Sequence, residues 1–276
     1  MKAILGKVWC HLSLSNQEKR TVKEVRSSDA LNVFNYDEFV RYIAYISFHN
    51  PEYSIFFRSQ PEDYKNKEKL SVMYPSIYRG LSNLSERYHK LKNRFDILNT
   101  AEQLLLTEFR KSRFLGVSKL EKYREIRWAV LQHYNVCETP LLDVTQSLRV
   151  ACSFAIHQSN NYAHIFILGF PHINGSITYS VDEELLNVKL LSICPPKAVR
   201  PYFQEGFLVG SFPSSESKRS IQLNIARRLI AKFRINCKEF IKRGFQGIPY
   251  ELLFPTQDSV KNVCSRIKDQ IKIKST

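Results

Sequence analysis

Apolar residues along this chain recur with two different periods, and the switches between them mark out its elements. Phe39, Tyr42, Ile43 and Ile46 stand three and four apart, as on one face of a helix. Asn35 with Glu38 three residues later has capping-box form and opens that helix. Asn50-Pro51 closes it, because the residue before a proline avoids helical geometry. Tyr53 to Gln60 is aromatic and β-branched and reads as a buried strand. Asn83 with Glu86 opens a long helix with Leu84, Tyr88, Leu91, Phe95 and Leu98 on one face, continued by Leu105 and Phe109. Gly116 interrupts the pattern. A further helix from about Leu120 carries Tyr123, Ile126, Val130 and Tyr134 on one face and delivers His133 to its end.

Strand-like patterns dominate the second half. Ala163 to Gly169 is a buried strand followed by a turn over Pro171 to Gly175. Val188 to Ile193 reads as a strand ended by Pro195-Pro196, and Val199 to Phe207 as a strand that bulges or turns at Gly206. On such a strand Gln204 and Glu205 face opposite ways unless a bulge re-aims one. Pro213 to Ser220 is a serine-rich loop, and Leu229 to Ile235 alternates as a half-buried strand does. Lys238 to Arg243 is a short helix stopped by Gly244, and a terminal helix runs from about Asp258 to Ile271. At the other end, Met1 to Leu14 has room for a short strand, and Glu18 to Asp29 reads as a loop or edge element.

Candidate chemistry concentrates between Leu131 and Ala155. Gln132, His133, Tyr134, Thr139, Asp143 and Thr145 all carry hydrogen-bonding groups, and Leu148, Ala151, Cys152 and Ala155 then take up helical spacing. A polar turn running into a small-residue helix can floor a site; the plainer reading is a capped helix with Asp143 or Thr145 as the N-cap. Arg58 emerges from an apolar strand and must meet an anion, an internal carboxylate or solvent. His133 has no His, Cys or acidic neighbour at metal-ligand spacing, so no metal is expected.

Composition narrows the class. The 276 residues are 43% hydrophobic, enough for a substantial core, and no apolar run is long enough to cross a bilayer. The first residues, MKAILGKVWC, have a short apolar part broken by Lys7, so no signal peptide is expected; the six scattered cysteines include no CxxC pair. A reducing, cytoplasmic setting is expected. The formal charge of +15 favours polyanions such as nucleic acid or phosphorylated ligands, or else a solvated lysine-rich surface.

Several of these stretches together resemble the FRG domain, a family named for a Phe-Arg-Gly motif. Phe57-Arg58-Ser59-Gln60 stands where that motif and a following Gln are found, with Ser59 in place of the glycine. Leu70 and Met73 to Arg79 resemble its Leu-x-Pro-Ser-x-x-Arg segment, and Tyr78-Arg79-Gly80 is a second, later mimic of the triplet. Gln132-His133-Tyr134, Thr139 to Thr145 and Phe154-Ala155 follow its central signature. Arg200 to Phe207 is similar to its Arg-x-x-x-Gln-x-Gly-x-Phe element, with Phe207 one position early, directly after Gly206, and Leu253-Phe254-Pro255 is similar to its closing element. The resemblance spans residues 37–268, with residues 1–36 as an N-terminal extension, a helical segment over 83–134 and a tail over 269–276. It implies a bacterial or phage-associated cytoplasmic domain of the kind linked to phage defence or toxin systems.

A further resemblance is to ADP-ribosyltransferases, whose folds order an early-strand arginine, a Ser/Thr at a strand end before a small-residue helix, and a later Glu or Gln. It implies an α+β fold, with a split or strongly twisted, mainly antiparallel β-core flanked by helices. It also implies NAD as substrate. Arg58, Gln60, Arg79, His133, Tyr134 and Thr145 would bind it, and Gln204, Glu205 or Asp143 would act in catalysis. The acceptor would be a protein or a nucleic acid. Two other readings stand beside this one: a nucleotide- or nucleic-acid-binding module without catalysis, and a protein-interaction component. Oligomeric state is left open.

Overall fold

The computed structural model describes residues 1–81, 84–159, 161–213 and 223–275. Asn83, the side chains of Leu84 and Glu86, and residues 214–220 of the serine-rich loop lie outside the described residues. The chain opens with β1 (Lys7–Val8), α1 (Ser13–Asn16), β2 (Arg20–Thr21), α2 (Val22–Ser27) and β3 (Leu31–Val33). The segment Glu18 to Asp29, expected as a loop or edge element, holds the short strand β2, paired with β1, and then a helix. Its cause is a capping box: Thr21 Oγ1 accepts from the Glu24 amide at 3.3 Å, and Glu24 Oε2 accepts from the Thr21 amide at 2.7 Å. Next come α3 (Tyr36–His49) and β4 (Ser54–Gln60) at their expected places. Asn35 caps α3 through the Glu38 amide at 2.8 Å, while the Glu38 carboxylate reaches past it to the Phe34 amide.

After a 3-10 turn at Ser76–Tyr78, α4 (Leu84–Lys111) is the long helix. The expected single helix through Tyr134 is two, α5 (Val117–Lys122) and α6 (Arg124–His133), broken at Tyr123, whose backbone is extended. Then follow β5 (Leu141–Thr145), α7 (Leu148–Gln158), β6 (Tyr162–Phe170), β7 (Ile177–Ser180) and β8 (Leu185–Lys189). Asp143 and Thr145 therefore lie on a strand and cap nothing; Ser147 is the N-cap of α7, accepting from the Val150 amide at 3.4 Å. The expected strand Val188 to Ile193 is the end of β8 and then α8 (Leu190–Ile193). The expected strand Val199 to Phe207 is α9 (Arg200–Gln204), a left-handed Glu205 and the start of β9 (Gly206–Ser211); Pro201 sits in the first helical turn, where its missing N–H costs nothing. A 3-10 turn (Ile225–Arg228), β10 (Leu229–Asn236), α10 (Cys237–Lys242), α11 (Tyr250–Leu253) and α12 (Ser259–Ser275) complete the order, α12 continuing past Ile271.

β3 to β10 form one open sheet of eight strands in the order β3-β10-β6-β4-β5-β9-β8-β7, antiparallel except where β3 runs parallel to β10. The fold is α+β. β10 is covered on both faces rather than half-buried, because helices and the N-terminal segment close over it. Its Lys232 is fully buried and tolerated through Asp63 Oδ2 at 2.8 Å, Ser71 Oγ at 2.9 Å and the Arg26 carbonyl at 3.2 Å.

Two apolar clusters fill the interior. One packs α2, α3, α7 and α10 against β4, β6 and β10; the other packs α4, α6 and α12 with Leu141, Leu186, Val188 and Leu208. Leu142, Val144, Phe207 and Val209 face the first cluster. So β5 and β9 send alternate side chains to opposite cores, and Asp143 shares the face of Leu141, toward α6. Among the described residues no helix is long and apolar enough to cross a membrane.

The N-terminal segment is tied down by buried Asn50, which accepts from the Trp9 amide at 3.0 Å and donates to the carbonyls of Trp9 at 2.9 Å and Ile46 at 2.6 Å. Asn50→Ala should cost about 2–4 kcal/mol in urea unfolding, because part-buried backbone groups of Trp9 and the buried Ile46 carbonyl lose a partner. An unchanged midpoint would show that this tie does not hold the segment.

Candidate functional site

The middle of the sheet is nearly divided. β4 pairs with β6 over its whole length, from Ser54↔Phe170 to Gln60↔His164. β5 pairs with β9 from Leu141↔Gly210 to Thr145↔Gly206. Between β4 and β5 one pair remains, Phe57↔Thr145. Beyond it the strands part, on the side of Arg58 and Asp143, and their facing backbone groups lose ladder partners. Arg58 crosses the gap: its Nη1 donates to the Asp143 backbone carbonyl at 2.6 Å.

A cavity of about 240 Å³ opens at this parting. β4 supplies Arg58 and Ser59, and β5 supplies Asp143 and Thr145. The end of α6 supplies His133, and α9 supplies Arg200 and Gln204. Phe154 and Phe254, in edge contact 5.8 Å apart, line it as well. Gly206 packs closely here: a Cβ would come within 2.7 Å of Leu190 Cδ1, so the tip of that side chain would have to shift, and would touch the His133 ring at 3.8 Å. Ser59 lies in the extended strand β4, so no left-handed conformation demands glycine at that position.

Asp143 is oriented by a chain of hydrogen bonds. Gln132 Nε2 donates to Asp143 Oδ2 at 2.8 Å, Thr139 Oγ1 donates to Gln132 Oε1 at 2.6 Å, and the Thr139 amide donates to Ser76 Oγ at 3.0 Å. Burial among protein atoms opposes the charge on Asp143, but His133, Gln132 and Arg58 outweigh it and hold the carboxyl below its ordinary range. The side chain still keeps 42% of its surface open. His133 is displaced downward, by burial first and by Arg200, against the pull of Asp143. Its Nδ1 stands 3.7 Å from Asp143 Oδ1, beyond hydrogen-bond distance.

The cations are incompletely matched. Burial draws Arg58 down to about 10, with Asp143 opposing and Arg79 adding to the shift, so it remains charged near neutral pH. Burial likewise lowers Arg200, whose guanidinium lies 4.7 Å from the Phe254 ring centre and 5.8 Å from that of Tyr134. Arg58 Nε, Arg200 Nε and both ring nitrogens of His133 are buried without hydrogen-bond partners. Leaving buried donors bare is costly, and an anion seated between the two arginines would satisfy them.

Of the residues singled out in the sequence, Arg58, His133, Asp143, Thr145 and Gln204 come together here. Thr145 Oγ1 donates to the Glu205 carbonyl at 3.1 Å, and Gln204 Nε2 donates to the Leu253 carbonyl at 2.7 Å. Gln60 and Arg79 line a larger cleft on the other side of Arg58. Tyr134 turns into the helical core and donates to Asp258 Oδ2 at 2.8 Å. Glu205, at φ 43°, is exposed and outside the cavity lining, so α9 separates it from buried Gln204 as the sequence expected, though by a helical turn and not by strand alternation.

Arg200 and Asp258 carry roles that the sequence did not disclose. Arg200 stood in the quoted Arg-x-x-x-Gln element without a function. Asp258 stood at the start of a helix, yet its carboxylate does more than cap it. Oδ1 accepts from the Val260 and Lys261 amides at 2.9 and 3.1 Å; Oδ2 accepts from the Val199 and Arg200 amides, both at 3.0 Å, and from Tyr134. Among the described residues, no group of three His, Cys, Asp or Glu is arranged to hold a metal ion.

Asp258→Ala should therefore destabilise the fold by about 3 kcal/mol or more in urea unfolding, with Asp258→Asn recovering part of the loss; a loss below about 1 kcal/mol would contradict the hub. Acid sensitivity follows from His133. A histidine lowered in the folded state contributes stability that is complete above its unfolded value of about 6.5 and is lost as the pH falls below it, because the unfolded chain takes up the proton first. The stability gap between wild type and His133→Gln should thus shrink by about 1 kcal/mol between about pH 7.5 and about pH 5.5. A constant gap would mean that the folded ring titrates normally.

Comparison with known proteins gives one match. The family model described as the FRG domain matches residues 74–164, and no curated protein or solved structure matches the chain. The matched stretch contains Arg79, His133, Tyr134, Asp143 and Thr145, and with them the Ser76-to-Asp143 hydrogen-bond chain. Arg58, Arg200 and Gln204 lie outside it. From the 3-10 turn to the start of β6, then, this chain is similar to the FRG domain family.

Proposed function

We propose that the cavity binds a phosphorylated nucleotide, NAD in particular, and breaks its nicotinamide–ribose bond in an ADP-ribosyltransferase-like reaction. The observation that carries this reading is the convergence of two arginines with bare Nε donors and one oriented carboxylate in a single cavity. The guanidinium forks suit a pyrophosphate. As the ribose–nitrogen bond breaks, its electron pair leaves with nicotinamide and positive charge grows on the ribose. Asp143, ionised and fixed by Gln132, is the carboxylate available to stabilise that charge. An acceptor oxygen or nitrogen, or water, then forms the new bond and loses a proton. Thr145, at the strand end, is available to the ribose hydroxyls. Arg58, Thr145 and Gln204 also keep the chain order of the ADP-ribosyltransferase pattern, which is support by analogy of arrangement.

Gln204 is neutral and Glu205 lies outside the cavity, which favours a second reading: a nucleotide sensor that binds without turnover. Release of nicotinamide from NAD by the purified protein separates the two. In the enzyme reading, Asp143→Asn lowers release by about a hundredfold or more while NAD still binds. Arg200→Ala weakens NAD binding by roughly tenfold, and Glu205→Gln leaves the rate as it is. Binding without release supports the sensor. Neither binding nor release ends the NAD proposal, and a rate that follows Glu205 in place of Asp143 overturns the assignment of the carboxylate.

A further inference from the structure

On the far side of Arg58 lies a second, larger cleft of about 1110 Å³, which shares Arg58, Ser59 and Gln158 with the smaller cavity. Its lining includes Lys65, Lys67, Arg79 and Arg87 together with Tyr64 and Tyr74, and no carboxylate. Tyr64, Lys67 and Arg79 are exposed, with Arg79 held at its Nε by the Tyr74 carbonyl at 2.8 Å, while Lys65 keeps a third of its side chain open and lies 3.9 Å from both the Asp29 and Asp63 carboxylates, long contacts that a phosphate can replace. Glu62 and Glu68 belong to the same segment but are not part of the lining.

We propose that this cleft is a groove for single-stranded nucleic acid, running up to the mouth of the smaller cavity at Arg58. Charge decides between this and a second half of the same small ligand. A dinucleotide brings a single pyrophosphate, which Arg58 and Arg200 already answer from the cavity side. Four further cations exceed what it needs, whereas a phosphodiester backbone carries one negative charge per nucleotide and meets them in series. The tyrosines fit the same partner, because bases offer aromatic faces for stacking and an acidic protein segment does not. A duplex would present only its outer phosphates, leaving the tyrosines unused. As a binding site the groove stands independently of any catalysis; its role as the groove of an ADP-ribosyl acceptor rests on the NAD reading above.

Fluorescence anisotropy with a short labelled single-stranded oligonucleotide of mixed sequence, titrated with full-length protein at several salt concentrations, tests it. Four phosphate contacts give a log–log salt slope of about −3. Lys65→Glu with Lys67→Glu should weaken binding by roughly a hundredfold and make the slope shallower by about 1.4. Tyr64→Ala should weaken it roughly tenfold with the slope unchanged. These residues lie outside the smaller cavity, so NAD binding and nicotinamide release stay at wild-type levels in the same variants. Loss of oligonucleotide binding with no NAD activity in any variant would therefore sink the chemistry and leave the groove standing. The groove is overturned by absent binding at low salt, by affinity indifferent to the lysine and tyrosine variants, or by heparin competing as well as the unlabelled oligonucleotide.

Discussion

The structure turns on two neighbouring strands that scarcely touch. A sheet is held by a continuous ladder, and each missing rung leaves an N–H and a C=O that must find partners elsewhere. Between β4 and β5 the ladder is reduced to Phe57↔Thr145, and the next connection is a side chain, Arg58, bonded to the Asp143 carbonyl. One interaction thereby does two things. It supplies a backbone acceptor with a donor, and it holds a guanidinium at the edge of a cavity where only part of its hydrogen-bonding capacity is used. The strand pairs on either side, β4 with β6 and β5 with β9, are laddered along their length and share the first apolar cluster, so the gap is a constructed opening in an otherwise satisfied sheet.

The surroundings of that opening divide into a rigid anionic wall and a cationic one that is left unfinished. Asp143 is fixed through Gln132, Thr139 and Ser76, a relay that lies wholly within the segment similar to the FRG domain. The arginines come from outside that segment, one from the preceding strand and one from a helix late in the chain. Their bare Nε donors and the unpartnered ring nitrogens of His133 leave the cavity polar, with two cations to one carboxylate and room for a ligand to complete its hydrogen bonding.

Much of this was legible in the sequence, and the failures have physical causes. Strands β4 and β6 were readable because each carries a short apolar run of aromatic and β-branched residues, Ile55 to Phe57 and Ile165 to Leu168, and α3 because its cap and its terminating proline are both local signals. The stretch Leu141 to Thr145 was not readable as a strand. Its polar residues, Asp143 and Thr145, face a cavity rather than solvent, so the alternation of a sheet was disguised as a capped turn. Val199 to Phe207 misled for the opposite reason. Arg200 to Gln204 is too short a helix to show a period, and Glu205 takes a left-handed conformation that nothing in its residue type announces. Convergence of Arg58, Asp143, Thr145 and Gln204 was visible through family order, but the part played by Arg200 was not. That role depends on Asp258, a contact across 58 positions that no local pattern records.

The Asp258 hub also sets an order of assembly. Every strand of the sheet, β10 included, precedes Asp258 in the chain. A growing chain can therefore pair its strands and open the gap between β4 and β5 before the residue that seats the Arg200 backbone has been synthesised. Until α12 docks, one of the two cations of the cavity has no fixed position. Such a nascent protein would have its scaffold complete and its ligand site unfinished, so ligand capture would be the last property the chain acquires.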